Sequence, residues 1–136
     1  MKIEGGCYCG EIRYLSDGEP QASIQCHCRE CQYITGGNPN VIMIMPLDEF
    51  KFLKGEPKEF KRNDLEKAVT RLFCNNCGTA IGTKTPVRPN SIILKVGTFD
   101  NPSIFTPAVA IFTKDKQKFH YIDDKIKSFE DRKSVV

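Results

Sequence analysis

Seven cysteines determine the chemistry that this sequence can support. Three of them lie within six residues in the spacing Cys-x-Cys-x-x-Cys, and we call them the cysteine trio: Cys26, Cys28 and Cys31. The other four form two short pairs: Cys7 with Cys9, and Cys74 with Cys77. A zinc ion with four protein ligands is saturated and structural, whereas one with three keeps a position open for water or substrate. The division into four plus three predicts one structural zinc and one zinc for chemistry.

Other uses of these cysteines fit the sequence less well than metal binding. An odd number of cysteines cannot pair completely into disulfides, and we expect a reducing compartment. A thioredoxin-like redox pair normally opens a helix after a strand in a βαβ unit, and no such unit is indicated around Cys74 and Cys77. Buried thiols without metal would not need ligand spacing. Thiolate-rich sites also take iron, so zinc is an inference from the ligand type.

The sequence leaves open which sulfurs share an ion. Cys28 and Cys31 could join Cys74 and Cys77 in a zinc ribbon, which would leave Cys7, Cys9 and Cys26 as the open set. We favour the local trio because one short loop delivers all three of its sulfurs. The second zinc is then the weaker one, and we expect it to be lost in part when the protein is over-expressed.

Two histidines and the charged residues of the trio loop could support the site. His27 could be a fourth ligand that closes the open site. If Cys26 and Cys28 point one way from an extended segment, His27 points the other, which favours a supporting or surface position. His120 is predicted to be an ordinary surface or packed residue. Arg29 could help to hold an acidic substrate.

Length and composition are typical of one globular domain over residues 1–136. The chain is 40% hydrophobic and 27% charged, with a formal net charge of +3. Its basic residues are interrupted by acidic ones, so we do not expect a nucleic-acid partner. The longest apolar run, residues 41–45, is too short to cross a bilayer, and the first residues do not have the pattern expected of a leader peptide. We therefore expect a cytoplasmic protein with no membrane contact.

Periodicity predicts an all-β domain with short helical turns. A hairpin with a metal knuckle at its tip is expected over residues 2–15, and one or two helical turns between Arg29 and Ile34, stopped by Gly36. Two strands joined by the turn 54–57 are expected around Phe50 and Phe60. The remaining predicted strands cover residues 22–25, 41–45, 68–73, around 81, 92–96 and 109–112. The tail from 119 to 136 is amphipathic without clear signals.

The order of the motifs resembles the glutathione-dependent formaldehyde-activating enzyme family, whose domain centromere protein V also carries. The matching segments are Gly6-Cys7-Tyr8-Cys9-Gly10, Cys26-His27-Cys28-Arg29-Glu30-Cys31-Gln32 with Thr35-Gly36, Phe73-Cys74-Asn75-Asn76-Cys77-Gly78-Thr79, and Val96-Gly97-Thr98-Phe99-Asp100-Asn101-Pro102. Together they cover nearly the whole chain, and all seven metal-ligand positions of the family pattern are present.

The resemblance implies an Mss4-like fold stapled by zinc knuckles. It implies a structural zinc on Cys7, Cys9, Cys74 and Cys77, and a second zinc on the trio, where the glutathione thiol can bind. The implied partners are glutathione or another small thiol and formaldehyde or a related aldehyde. The implied activity is that of a carbon–sulfur lyase, an S-hydroxymethylglutathione synthase. The alternative is a non-catalytic zinc module that binds a protein, a thiol or a nucleic acid.

Overall fold

The computed structural model describes residues 1–131 and is rich in β-structure, with one α-helix, α1 (Arg29–Thr35). The strands, numbered along the chain, are β1 (Ile3–Gly6), β2 (Arg13–Ser16), β3 (Ala22–Cys26), β4 (Asn40–Pro46), β5 (Phe50–Lys54), β6 (Lys58–Lys61), β7 (Thr70–Phe73), β8 (Ala80–Lys84), β9 (Ser91–Lys95), β10 (Val109–Ile111) and β11 (Lys127–Ser128). The all-β prediction and the short helical turn are confirmed.

The strands form two sheets. A three-stranded sheet has the order β1-β2-β5, and an eight-stranded sheet has the order β11-β10-β3-β4-β9-β8-β7-β6. Most neighbours are antiparallel, while β10 runs parallel to both β3 and β11. The predicted hairpin over residues 2–15 is present as the β1–β2 pair. The large sheet brings β3, which ends at Cys26, next to β4 and β10.

Alternation along β4 shows that both faces of the large sheet are apolar. Met43 and Met45 belong to the main core, which also contains Ile3 and Tyr14 of the small sheet. Ile42 and Ile44 point to the other face and form a second cluster that includes two trio sulfurs. A strand buried on both faces reads as a continuous apolar run, which is why residues 41–45 show no polar alternation. The main core joins the two sheets, and the opposite face of the large sheet carries the trio.

The strands β5 and β6 form as predicted, but they belong to different sheets rather than to one local hairpin. β5 pairs with β2, and β6 pairs with β7. The rings of Phe50 and Phe52 lie in T-shaped contact at 5.0 Å, and Phe50 lies 5.3 Å from Tyr14. Packing of these rings on the main core separates β5 from β6, all four residues of which are exposed.

Helix α1 begins and ends where the sequence predicts. Its N-cap is Cys28, whose Sγ accepts a hydrogen bond from the Cys31 backbone N–H at 3.3 Å. Its C-cap is Gly36, which has φ 78°, the left-handed conformation that glycine adopts without steric cost. The short helix thus places two trio sulfurs one turn apart on the same side.

In residues 1–131 no helix has the length and apolar character that crossing a bilayer requires. The tail beyond residue 119 contains β11 on the edge of the large sheet. Residues 132–136, also part of the predicted amphipathic tail, lie outside the described residues.

Candidate metal centres

The two cysteine pairs converge into one group. The sulfurs of Cys7, Cys9, Cys74 and Cys77 all lie within 4.8 Å of one another. The Sγ–Sγ distance is 3.5 Å for Cys7 and Cys9 and 3.8 Å for Cys9 and Cys74. Tetrahedral zinc with bonds of about 2.3 Å requires sulfurs about 3.8 Å apart. The four-cysteine group therefore fits a closed zinc site that joins residues near the start of the chain to residues in its middle.

Equivalent backbone geometry builds both halves of this group. The residue after the second cysteine of each pair is a left-handed glycine: Gly10 has φ 80° and Gly78 has φ 78°. The Ile12 N–H donates to Cys7 Sγ at 3.2 Å, and the Cys77 N–H lies 3.5 Å from the Cys74 sulfur, to which it donates. Amides that point at sulfur stabilise the thiolate form, which is the form that binds metal.

The trio forms a second group, with its three sulfurs within 4.8 Å of one another. Cys26 ends β3, and the other two cysteines lie at the start of α1. The Asn40 side-chain amide donates to Cys31 Sγ at 3.5 Å from the neighbouring strand β4. Cys26 and Cys31 are buried, while Cys28 is partly exposed and lines a cavity.

Crowding of the trio sulfurs favours a bound cation. Hydrogen bonds with Cys28 and Cys31 raise the pKa of Cys26, whereas hydrogen bonds from the other two thiols lower the pKa of Cys31. Three thiols this close share protons, because adjacent negative charges repel when nothing compensates them. A divalent metal ion would supply that compensation, and thiolate donors select soft metals such as zinc. The donor set therefore fits zinc.

Among residues 1–131, the trio supplies three ligand atoms and no fourth. Within residues 1–131, no further cysteine, histidine, aspartate or glutamate joins its sulfurs in a ligand group. The structure also does not bring Cys28 and Cys31 together with Cys74 and Cys77, as a zinc ribbon would require. A three-ligand site is the arrangement that catalytic zinc centres use.

His27 is not in the ligand group, because both of its ring nitrogens have other partners. The ring is fully buried, with Nδ1 2.9 Å from His120 Nδ1 and Nε2 3.0 Å from the Gln25 amide nitrogen. Burial lowers the pKa of His27 to about 4, so the ring is neutral at pH 7. His120 is buried as well, which is the second of the two positions, surface or packed, predicted for it.

The trio opens into a cavity of about 1170 Å³ on the second face of the large sheet. We call it the trio cavity. Its floor is apolar and includes Ile42 and Ile111. Six basic side chains line it: Arg29, Arg62, Lys67, Arg71, Arg88 and Lys114. Three acidic side chains line it: Glu30, Asp115 and Asp131. The excess of basic groups favours an anionic ligand.

Glu30 of the trio loop contacts two of these basic side chains. Its Oε1 lies 3.5 Å from Arg71 Nη2 and 3.8 Å from Arg62 Nη1. The Arg71 side chain is only 18% exposed, so this guanidinium lies well inside the cavity wall. Arg29 donates a hydrogen bond to Gln32 and stacks on the Tyr33 ring at 5.1 Å. Arg29 lines the cavity, as its suggested role with an acidic substrate requires.

Sequence analysis missed one charged residue beside the trio. Lys95 ends β9 and is buried, and its Nζ has no hydrogen-bond partner among the described residues. The sequence signal is a lysine at the end of the apolar run Ile92-Ile93-Leu94, in a strand whose other positions are nearly all buried. Sequence analysis also missed the contact between His27 and His120, which depends on tertiary structure.

Comparisons with known proteins agree with this geometry. A family model described as glutathione-dependent formaldehyde-activating enzyme matches residues 2–115. A crystal structure of a Rhodobacter sphaeroides protein is similar to this chain, with a TM-score of 0.58 and 16% identity over 74% of this chain and 93% of that one. At that identity the similarity shows the fold alone. No curated protein sequence matches the chain.

The family model covers most of the chain, including both cysteine groups and the connecting strands. The resemblance inferred from the order of the motifs is thereby confirmed. The chain belongs to the glutathione-dependent formaldehyde-activating enzyme family, and its β-rich architecture is the Mss4-like fold.

Proposed function

We propose that this protein is a zinc-dependent carbon–sulfur lyase of the S-hydroxymethylglutathione synthase type. It joins glutathione, or another small thiol, to formaldehyde or a related aldehyde in the trio cavity. Family membership supports the reaction class, and the three-sulfur group supports the site. We also propose that residues 1–136 form a single domain.

The two cysteine groups have different tasks in this proposal. The four-cysteine group holds a structural zinc that joins two short metal-binding turns, which we call knuckles: one with Cys7 and Cys9, the other with Cys74 and Cys77. The trio holds a second, more weakly bound zinc and supplies three of its ligands. When bound there, zinc offers one free position to a thiol and lowers the pKa of that thiol. The trio residues are thus the catalytic residues that we propose, acting as ligands.

The basic lining of the trio cavity suits the charge of glutathione. The tripeptide carries two carboxylates and one ammonium group at neutral pH. Arginine forms bidentate hydrogen bonds with carboxylates, and Arg71 and Arg62 already contact the carboxylate of Glu30. Arg62 also forms a bidentate ion pair with Asp64 at 2.9 and 2.7 Å, so Arg71 is the guanidinium that a substrate carboxylate can take over from Glu30. Arg71 would therefore orient the peptide with its thiol toward the trio.

The reaction requires little from the protein beyond positioning. The thiol sulfur forms a bond to the aldehyde carbon, the carbonyl π bond breaks, and the proton lost from the thiol ends on the new hydroxyl group. No side chain of residues 1–131 is marked as a dedicated base. Thiols add to formaldehyde without a catalyst, so holding both reactants together is the main contribution.

One observation carries the proposal: three sulfurs without a fourth ligand among residues 1–131 lie at the wall of a basic cavity. A non-catalytic zinc module would need no open position. His27 is the nearest candidate for closing the site in sequence, and hydrogen bonds with His120 and Gln25 occupy its ring. The seven cysteines are all free thiols in the structure, and we propose the reducing cytoplasm as the place of action.

The test is exchange of ¹³C-formaldehyde with glutathione, followed by NMR with zinc-loaded protein. We expect the exchange rate to rise in proportion to protein concentration above the spontaneous rate. Cys28→Ser should return the rate to the spontaneous value, because one ligand of the open site is lost. Lys51→Met, on an exposed position of β5, is the control and should keep the full rate. A wild-type rate equal to the spontaneous rate would contradict the proposal.

A further inference from the structure

Lys95 carries a buried ammonium group that has no hydrogen-bond partner among residues 1–131. The residue is 9% exposed, and its Nζ makes no hydrogen bond in the part of the chain that the structure describes. Leaving a charged group buried and unpaired is expensive, and lysine is rarely buried unless it is paired. A lysine at this position therefore suggests a partner that belongs to the working site and is absent from the chain itself.

The strand register places Lys95 on the face of the trio. Ile92 and Leu94 pack in the main core, so the alternation of β9 turns Lys95 to the opposite face. Lys95 pairs with Ile42 of β4, which in turn pairs with Ile24 of β3. The next row on this face is formed by Asn40 and the trio residue Cys26. Lys95 thus lies one row away from Cys26 on the same face of the sheet.

Electrostatics agree with this placement. Burial lowers the pKa of Lys95 to about 8, while the charges of the three trio cysteines raise it. Arg71 is the other nearby cation, and it opposes the charge on Lys95. Because Glu30 contacts Arg71 at 3.5 Å, the charge of that arginine is already partly compensated. Among residues 1–131, Lys95 is a buried cation without a hydrogen-bond partner, and its charge can act on the site.

A nearby cation would stabilise the charge of the loaded site. Zinc with three thiolates has a net charge of minus one, and a visiting thiolate makes it minus two. In a buried site of low dielectric, this second negative charge is unfavourable unless a positive group lies nearby. A neutral ligand such as water or imidazole adds no such charge.

We propose that Lys95 is a positioning residue whose buried ammonium group is the counter-charge for the substrate thiolate beside the trio. It favours an anionic sulfur over a neutral ligand at the open position. This inference rests on the proposed function, because it assumes that a thiol binds at the trio. It adds the residue that makes the site selective for the thiolate form.

Two consecutive hydrogen bonds fix the backbone from which Lys95 projects. The Thr98 hydroxyl donates to the Lys95 carbonyl oxygen at 2.7 Å, so the Tyr14 hydroxyl, also 2.7 Å from Thr98 Oγ1, is the donor to Thr98. Gly5 packs directly against these residues, since a Cβ at that position would lie 2.3 Å from the Thr98 carbonyl oxygen and 2.5 Å from the Tyr14 hydroxyl. The end of β9 is therefore held firmly.

The test uses protein loaded with Co²⁺ and titrated separately with 2-mercaptoethanol and with imidazole. Cobalt absorption reports the ligands, and a change on titration comes from the open site because four sulfurs saturate the other. 2-Mercaptoethanol has no carboxylate, so binding through the arginines does not contribute. For Lys95→Met we expect the Kd of the thiol to rise about tenfold or more, while the Kd of imidazole changes less than about twofold.

Two variants complete the design. Lys95→Arg keeps the charge and should restore most of the thiol affinity. Lys51→Met removes one lysine charge from the other sheet and should bind both ligands like the wild type. Urea unfolding of protein that holds zinc at the four-cysteine group and none at the trio should show Lys95→Met to be at least as stable as the wild type, because an unpaired buried charge has been removed.

The inference is overturned if Lys95→Met binds the thiol as tightly as the wild type. It is also overturned if the variant loses both ligands equally, or is less stable than the wild type when the trio holds no metal, because either result indicates a structural role. In these cases the proposed function stands as long as the wild-type protein binds the thiol. A wild-type cobalt spectrum that does not change with thiol would overturn both, so the two failures are distinguishable.

Discussion

His27 and His120 are joined by a hydrogen bond between their Nδ1 atoms, which lie 2.9 Å apart, and both side chains are buried. The Nε2 of His120 donates to the Gly37 carbonyl oxygen at 2.7 Å, so its Nδ1 is the acceptor in a neutral ring. That Nδ1 accepts from the backbone N–H of Gln117 and from His27. His27 Nε2 then accepts from the Gln25 amide at 3.0 Å. These partners place the ring proton of His27 on Nδ1 and that of His120 on Nε2.

This network attaches the segment around residue 120 to the trio loop. Replacing His120 with phenylalanine keeps an aromatic ring but leaves the His27 Nδ1–H and the Gly37 carbonyl without partners. We expect the free energy of unfolding to fall by about 1–3 kcal/mol, the usual effect of leaving a buried polar group unsatisfied. Urea denaturation measures it. The exposed neighbour Lys118→Ala is the control, and an equal effect from both changes would contradict the role of the pair.

Loss of one ligand should have different consequences in the two cysteine groups. Cys74→Ser removes a sulfur from the group that joins the two knuckles, so we expect loss of folded structure, because structural zinc supplies folding free energy. Cys28→Ser should leave the fold largely intact and abolish activity. Circular dichroism and the zinc content of each variant measure this. If both variants unfold to the same extent, the two groups do not have separate tasks.

The knuckle glycines are needed for conformation rather than for space. A Cβ at Gly78 would meet nothing within 4 Å, yet φ there is 78°. Gly78→Ala should therefore destabilise the zinc-loaded protein by about 1–2 kcal/mol through backbone strain alone. Gly97→Ala is the matched control, since its Cβ would also meet open space and its φ is not in the left-handed region. Equal melting temperatures for the two variants would disprove this explanation.

Tyr14 predicts a loss of stability at alkaline pH. Burial raises the pKa of Tyr14 to about 12 from about 10. The folded state therefore keeps a proton that the unfolded state releases above pH 10, and stability falls as the pH rises from 10 to 12. Linkage gives a loss of about 1.4 kcal/mol by pH 11 that Tyr14→Phe should not show. Urea denaturation of both proteins at pH 8 and pH 11 measures the difference, and parallel losses would contradict it.

Most elements of the fold are predictable from the sequence because their signals are local. Apolar runs and turn residues specify β3, β4, β7 and β9, and Gly36 specifies the end of α1. The pairing of β5 and β6 could not be predicted in the same way. Adjacent strands with a turn between them indicate a hairpin, but the contact of Phe50 with Tyr14 recruits β5 to the small sheet. That contact joins two residues far apart in the sequence, beyond the reach of a local pattern.

Residues of the candidate site that come from distant segments of the chain could not be predicted from the sequence either. Ligand spacing alone is enough to group the cysteines, because the members of each pair and of the trio lie within a few residues of one another. Lys95 and His120 carry no spacing signal, since their neighbours come from distant segments of the chain. Only the register of β3, β4 and β9 brings a lysine to the row beside Cys26. Residues that support ligands from a distance therefore require the tertiary structure.

The most direct test of the account is zinc X-ray absorption of freshly purified protein with two zinc ions per chain. One site with four sulfurs and one with three predict an average of about 3.5 sulfurs per zinc. Saturating glutathione should raise this average to about 4, because the visiting thiol fills the open position. An average of 4 before glutathione is added, or one that glutathione does not change, would contradict an open zinc at the trio.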